Sequence, residues 1–210
     1  MQGIIGNVGL LEMRANDKDM KNKLGTIIEM SYRASDHANQ LLSYAREGIC
    51  FLESIDLLML VEELSEMWRQ QLPKYMTFEL CVDSPLPECL GDAKLLRQVL
   101  NSLFENAKEV CGEDGKIELS ITLDDLAKDC RVRTLKPGQH IRFAMKDNGC
   151  GIELAMLAKV FEPFFSTKFT GRGLGLAAVH GIIEKHNGHI SVESSLDQGA
   201  VFTVWLPIIR

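Results

Sequence analysis

The sequence predicts an α+β chain, a two-layer sandwich of mixed sheet with helices on one face, preceded by an antiparallel helical hairpin. Three observations predict it. Residues 1–47 keep a helical apolar period and contain no alternating run. After residue 50, helical and alternating segments interleave, and the late strands pair as hairpins. The stretch Asp147–Leu176, DNGCGIELAMLAKVFEPFFSTKFTGRGLGL, packs two glycine clusters and a helix start into one short span.

In chain order, Ile4, Ile5, Val8 and Leu11 share one helical face over 1–14, where Gly3, Gly6 and Gly9 each cost about 1 kcal/mol against alanine and call for a packing partner. Asn16 and Asp17 offer caps. From Lys18 to Glu47 the apolar positions Leu24, Ile27, Ile28, Ala34, Ala38, Leu41, Leu42 and Ala45 step by three and four. Two such helices bury little alone. Ala34, Ser35 and Ala38 suit close approach, so a dimeric four-helix bundle is the economical arrangement, with a hairpin packed on its own domain as the alternative. The domain boundary falls at Gly48, giving 1–48 and 49–210.

A short strand is expected at Cys50–Ser54. Asp56 caps a helix whose buried stripe is Leu60, Val61, Leu64, Met67 and Trp68. Thr77–Val82 alternates as a strand, and Pro85 and Pro87 mark a turn. Ala93–Val110 is a helix with its leucines on one side and Ser102, Asn106 and Glu109 on the other. Strands follow at Lys116–Leu123 and His140–Lys146, separated by a charged loop, Asp124–Gln139. A last helix, Leu174–His186, leads into strands His189–Ser194 and Ala200–Leu206 around a turn at Asp197–Gly199. The second region is then about 160 residues, an ordinary domain size.

Composition narrows the function. The 210 residues carry a net charge of −6 with signs interspersed, which argues against a nucleic-acid platform. No apolar run approaches the roughly 20 residues that span a bilayer, and no signal peptide opens the chain. A cytoplasmic protein with no membrane contact by these residues is expected. The six cysteines lack Cys-x-x-Cys spacing and read as reduced, mostly buried thiols.

Four separated segments share one chemistry. Glycines ahead of a helix let backbone N–H groups approach an anion, and the helix N-terminus adds positive dipole. An asparagine such as Asn106, interrupting an apolar helix, offers an amide oxygen suited to Mg²⁺, and a capped or solvated polar face is the plainer reading of the helix alone. Asp147, at a strand end beside Gly149 and Gly151, can accept a hydrogen bond from an exocyclic amine, and the plain alternative is an Asp-Asn-Gly turn. Lys168 is a point charge that can reach a phosphate, or an ordinary solvated lysine.

Taken in order, LRQVLNSLFENAKEV (Leu96–Val110), DNGCGI (Asp147–Ile152), FEPFFSTK (Phe161–Lys168) and GRGLGLAAVHGIIEKHNG (Gly171–Gly188) resemble the boxes of the ATP-binding domain of sensor histidine kinases, within the superfamily that includes DNA gyrase and Hsp90. The resemblance covers about residues 51–207, with the final GHISVESSLDQGAVFTVWLP similar to the family's last hairpin. Residues 1–47 look like most of its dimerisation and phosphoacceptor hairpin.

The resemblance implies ATP and Mg²⁺ as cofactors, with Asn106 as the metal ligand and Asp147 as the adenine-reading carboxylate. Gly149, Gly151, Gly173 and Gly175 would shape the pocket and its lid, together with Ile152, Phe161, Thr167, Leu174 and Leu176. Lys168 and Arg172 would contact phosphates, and Thr203 would help hold water around the adenine. It implies a homodimer through the hairpin, a response-regulator receiver domain as partner, and transfer of the γ-phosphoryl group to a histidine and thence to a regulator aspartate.

Two departures stand out. The asparagine usual four residues before Asn106 is Ser102, which cannot act as the water-activating base of the ATPase branch. The phosphoacceptor motif is absent, so no catalytic residue is assigned, and the chain is expected to begin just after it. His37 lies on the second helix, where the family places no acceptor. A non-catalytic module that binds nucleotide and docks a regulator is the second reading, and a gyrase- or Hsp90-type ATPase the third.

Overall fold

The computed structural model describes residues 20, 23–27, 51–83, 85–126, 135–165 and 173–209. The chain divides into two compact units, Met1–Glu47 and Gly48–Arg210. In the first, the described residues are helical, with Leu24 buried and Met20 and Ile27 exposed. The remainder of the expected hairpin, including His37, lies outside the described residues. No described helix is long and apolar enough to cross a membrane.

The second unit runs β1 (Glu53–Ile55), α1 (Leu57–Gln71), β2 (Thr77–Val82), β3 (Cys89–Gly91), α2 (Ala93–Val110), β4 (Lys116–Leu126), β5 (Gly138–Asp147), α3 (Leu154–Leu157), α4 (Gly175–Lys185), β6 (His189–Ser194) and β7 (Ala200–Pro207). Five strands form one mixed sheet in the order β2-β4-β5-β7-β6, with β2 parallel to β4 and the other pairs antiparallel. β1 and β3 make a separate two-stranded ribbon. The expected sandwich is present, with two short elements added and several boundaries shifted. β3 was missed because three residues are too few to show a period. β4 and β5 each run further, so the intervening loop is shorter than its charge suggested. α3 is a single turn.

The core lies between the helices and one sheet face. Ile117, Leu119 and Ile121 of β4, Ile141, Phe143 and Met145 of β5, and Phe202, Val204 and Leu206 of β7 alternate onto that face and are all buried. From the helix layer come Leu57, Leu60, Val61, Leu64 and Trp68 of α1, the α2 leucines, and Val179, Ile182 and Ile183 of α4. Trp68 stacks on Phe104 at 4.5 Å, and its indole N–H donates to Asn101 Oδ1 at 2.9 Å. That bond satisfies the polar edge of a wholly buried ring. Met67, expected in the same stripe, is instead 39% exposed, one position off the α1 face that Leu64 and Trp68 define.

Asp56 and Asp92 cap α1 and α2 through side-chain bonds to the first-turn amides. α4 packs beside α2, and His186 sets how they meet. Its Nδ1 lies 2.7 Å from Ile182 O and its Nε2 accepts the Asp92 N–H at 2.9 Å, so the ring joins the end of α4 to the start of α2. The two helices are therefore antiparallel. Eleven residues of α4 span roughly 16 Å, so its N-terminus points toward the half of α2 that carries Asn106.

Burial holds the His186 imidazole below its usual 6.5, so the neutral ring is the folded form. The stability it gives is complete above that value and is lost as pH falls through the depressed folded value. His186→Ala leaves the half-buried Asp92 N–H without its acceptor and opens a cavity, and should cost about 2–4 kcal/mol at neutral pH. In urea titrations the gap between the two proteins should narrow as the pH is lowered toward 5, and a gap independent of pH would contradict the neutral tautomer.

Candidate functional site

Asp147 ends β5 on the helix side of the sheet and is 2% exposed. Its Oδ1 accepts the Gly149 N–H at 2.8 Å and the Ala200 N–H at 3.3 Å. A buried carboxylate is stable only when bonded in this way. The first donor is two residues ahead in the chain and the second is the first residue of β7. Strand end, glycine loop and hairpin thus close around one side chain.

The glycines here are set by contact. A Cβ on Gly149 would lie 2.6 Å from Val110 Cγ2 and 2.7 Å from Val110 O, because the loop backbone rests on the end of α2. Gly151 has φ +71°, and a Cβ there would meet Ser195 O at 2.0 Å. The loop is also tied to the β6–β7 turn. Ser194 Oγ donates to Gly199 O at 2.6 Å and accepts the Ile152 N–H at 2.8 Å, while Asp197 N–H donates to Cys150 O at 2.8 Å.

Below the loop, Phe161 sets its ring edge against Phe202 at 6.4 Å and lies 5.5 Å from His180 of α4. Its ring therefore braces α4. Phe164, at φ +68°, donates its N–H to Gly173 O at 2.7 Å, which joins the chain entering the lid segment to the chain leaving it. Leu174 is buried at the N-cap of α4 and Leu176 is half-buried behind it. Gly175 opens the helix with nothing within 4 Å of a Cβ placed there. Thr167, Lys168 and Arg172 lie outside the described residues.

Asn106 and Ser102 are half-buried on the side of α2 away from its core leucines, with Glu109 exposed one turn on. Among the described residues no three His, Cys, Asp or Glu side chains form a cluster able to hold a metal by themselves. An amide oxygen can serve as one ligand of a cation that arrives with its other oxygens, which is how Mg²⁺ associates with phosphates.

Thr203 is not brought to this site. It pairs with Ala144 and Ser191, and strand alternation puts it on the face opposite to Phe202 and Asp147. The hairpin's contribution comes from Ala200 N–H, Gly199 and Ser194, which sequence reasoning missed. The signal was available in the parity of β7. Ala200, Phe202, Val204 and Leu206 form the core set, so Thr203 falls on the other side. All four described cysteines are free thiols, but Cys81 and Cys150 are exposed, contrary to the expected burial. Cys89 is fully buried, and burial pushes its thiol up to about 11.

The sequence family described as "Histidine kinase-, DNA gyrase B-, and HSP90-like ATPase" matches residues 91–210. The chain is 31% identical over 171 residues to the sensor histidine kinase ZraS of Escherichia coli K12, covering 81% of this chain and 34% of that protein. It is also 31% identical over 210 residues to the signal transduction histidine-protein kinase AtoS of the same strain, covering 99% of this chain and 32% of AtoS. The chain thus spans about a third of the length of these curated relatives. Among solved structures, full-length ShkA in complex with AMPPNP superposes with a TM-score of 0.80 at 25% identity, over 99% of this chain and 43% of that one. The histidine kinase ThkA in complex with the response regulator TrrA gives 0.71 at 25% identity, over 99% and 58%.

Two glycines separate local strain from ligand approach. Gly199 has φ +76°, and a Cβ on it would lie 1.9 Å from Asp147 O. Gly199→Ala should therefore lower unfolding free energy by about 2 kcal/mol or more. Gly175→Ala meets nothing and should fold with stability unchanged or raised by up to about 1 kcal/mol. Thermal melts of the two variants side by side test this, and equal losses would contradict it.

Proposed function

The chain belongs to the histidine kinase-, DNA gyrase B- and HSP90-like ATPase family, and we propose that it is the ATP-binding core of a two-component sensor histidine kinase. The observation that carries the reading is the buried Asp147 carboxylate, held by the Gly149 and Ala200 amides at the mouth of a glycine-lined loop. A fixed, desolvated acceptor of this kind recognises an exocyclic amine and rejects a carbonyl in the same place, as selection of adenine requires.

In this reading Gly149, Gly151 and Ile152 border the base, and Phe161 braces the wall. The α4 N-terminus, with Gly173, Leu174, Gly175 and Leu176, directs backbone amides and helix dipole at the phosphates. Thr167, Lys168 and Arg172 are assigned to the lid by resemblance alone. Asn106 would hold a Mg²⁺ that bridges to the nucleotide. The antiparallel arrangement of α2 and α4, which sets Asn106 near the α4 N-terminus, fits that assignment. Bound there, the ion would supply charge neutralisation at the phosphates.

The phosphoryl group would go to a histidine on a helical hairpin and from there to a response-regulator aspartate. The chain itself contributes positioning and charge, the main requirements of phosphoryl transfer. The kinases AtoS and ZraS among the relatives, and a regulator bound to ThkA, support this assignment. A homodimer through residues 1–48 belongs to the same proposal. Ser102 favours one alternative, a module that binds nucleotide and docks a regulator without transferring phosphate.

Calorimetric titration should show ADP and Mg-ATP binding to the unmutated chain. Asp147→Asn should keep the fold and weaken both by at least about tenfold, the scale of a hydrogen bond to a charged group. Asn106→Ala should weaken Mg-ATP more than metal-free ADP. Linking the chain to a family-type histidine-bearing helix should then yield acid-labile phosphate from labelled ATP. Intact nucleotide binding with no such phosphate would favour the docking module.

A further inference from the structure

We infer that Asn148 is a positioning residue that fixes the metal-side end of α2 against the adenine-side carboxylate of Asp147. The inference rests on the nucleotide reading above and adds a residue to it. The Asn148 side chain reaches three places at once. Its Oδ1 accepts the Lys116 N–H at 2.7 Å and faces the Cys111 thiol at 3.5 Å, and its Nδ2 donates to Asp114 O at 3.2 Å. Its own N–H donates to Lys116 O at 3.2 Å. These partners are the C-cap of α2, the middle of the α2–β4 turn and the first residue of β4.

The turn so held is a demanding one. Asp114 sits at φ +63°, and a Cβ on Gly115 would lie 2.7 Å from Cys111 Cβ and 2.9 Å from Met76 Cε. No slack remains for the turn to drift without breaking the Asn148 bonds. The next residue, Gly149, presses its backbone on Val110 from the other side. Successive residues after Asp147 therefore grip the end of α2 by a polar clamp and a steric stop.

α2 is a continuous run of eighteen residues, and Asn106 lies one turn, roughly 6 Å, before Val110. A rigid helix carries any shift of its end to Asn106 almost undiminished. The Asp147 carboxylate depends instead on the Gly149 and Ala200 amides, and neither bond uses the Asn148 side chain. Removing that side chain should loosen the metal side of the site and leave the adenine side nearly as it was. An ordinary Asp-Asn-Gly turn former would have no such selective effect.

The test compares the unmutated chain with Asn148→Ala and Asn148→Asp by calorimetry, using ADP in EDTA and ATP with and without Mg²⁺, alongside thermal melts. In Asn148→Ala, metal-free ADP should bind within about threefold of the unmutated chain, while the Mg²⁺ enhancement of ATP affinity should fall by about tenfold, the scale of losing a supporting partner at a metal site. Asn148→Asp keeps an acceptor for Lys116 N–H but loses the donor to Asp114 O, and should retain an intermediate enhancement. It also carries the test if the alanine variant does not fold. An unchanged enhancement, or parallel weakening of all three titrations with a lowered melting temperature, would overturn the inference and leave the nucleotide reading standing. No nucleotide binding by the unmutated chain would overturn both.

Discussion

The buried carboxylate of Asp147 imposes more on this domain than any other single group. An ionised side chain out of reach of water must be met by donors that are already in place. The Gly149 and Ala200 donors are backbone amides, so their demand is on the course of the chain more than on side-chain identity. β7 must begin opposite the end of β5, which makes Ala200 the donor. The turn before it must then pass so close to Asp147 that Gly199 admits no side chain. The loop after Asp147 must double back within two residues to present Gly149, and in doing so it lands on Val110.

The helix layer answers to the same end of the sheet. His186 ties the finish of α4 to the start of α2, and the antiparallel pairing that results carries the α4 N-terminus toward the half of α2 that bears Asn106. The α4 N-terminus and the Asn106-bearing half of α2 are directed toward the same end of the domain by a contact at the other. The His186 bonds, one buried and one part-buried, use both ring nitrogens, so the alignment rests on a neutral imidazole whose every polar atom is satisfied.

Legibility in the sequence followed the strength of local signals. The three longest helices and the five sheet strands were readable because period 3.6 and period 2 were each sustained over several residues. Asp147 and the glycines were readable because the chain spends unusual residue types at one place. The hairpin's role was misassigned to Thr203, since a hydroxyl on the last strand attracts attention as a side chain, whereas the parts of the hairpin that reach Asp147 and its loop are the Ala200 amide, Gly199 and Ser194. Backbone donors carry no residue signature, and they emerge only from register. Ser194 and Asn148 were passed over for a related reason. Each acts through turns distant in sequence, and serine or asparagine beside glycine is ordinary turn chemistry until its partners are known.

Ser102 bears on what such a pocket can do. It precedes Asn106 by four residues, so both face the same side of α2. A serine hydroxyl takes no proton from water near neutral pH, and the neighbouring carboxylates are poorly placed to substitute. Glu105 points elsewhere on the helix and pairs with Lys108 at 3.4 Å, and Glu109 lies exposed at its last turn. If ATP is held here as proposed, water beside the γ-phosphate meets a hydroxyl at position 102, and the described carboxylate on that side, Glu109, lies about two turns further along α2. The donor would then persist until an acceptor nucleophile is brought to it. Under the proposed reading such a site would favour transfer over hydrolysis by that omission. The same omission is compatible with a module that only binds, so the distinction between the two readings lies with the acceptor and its approach to the pocket.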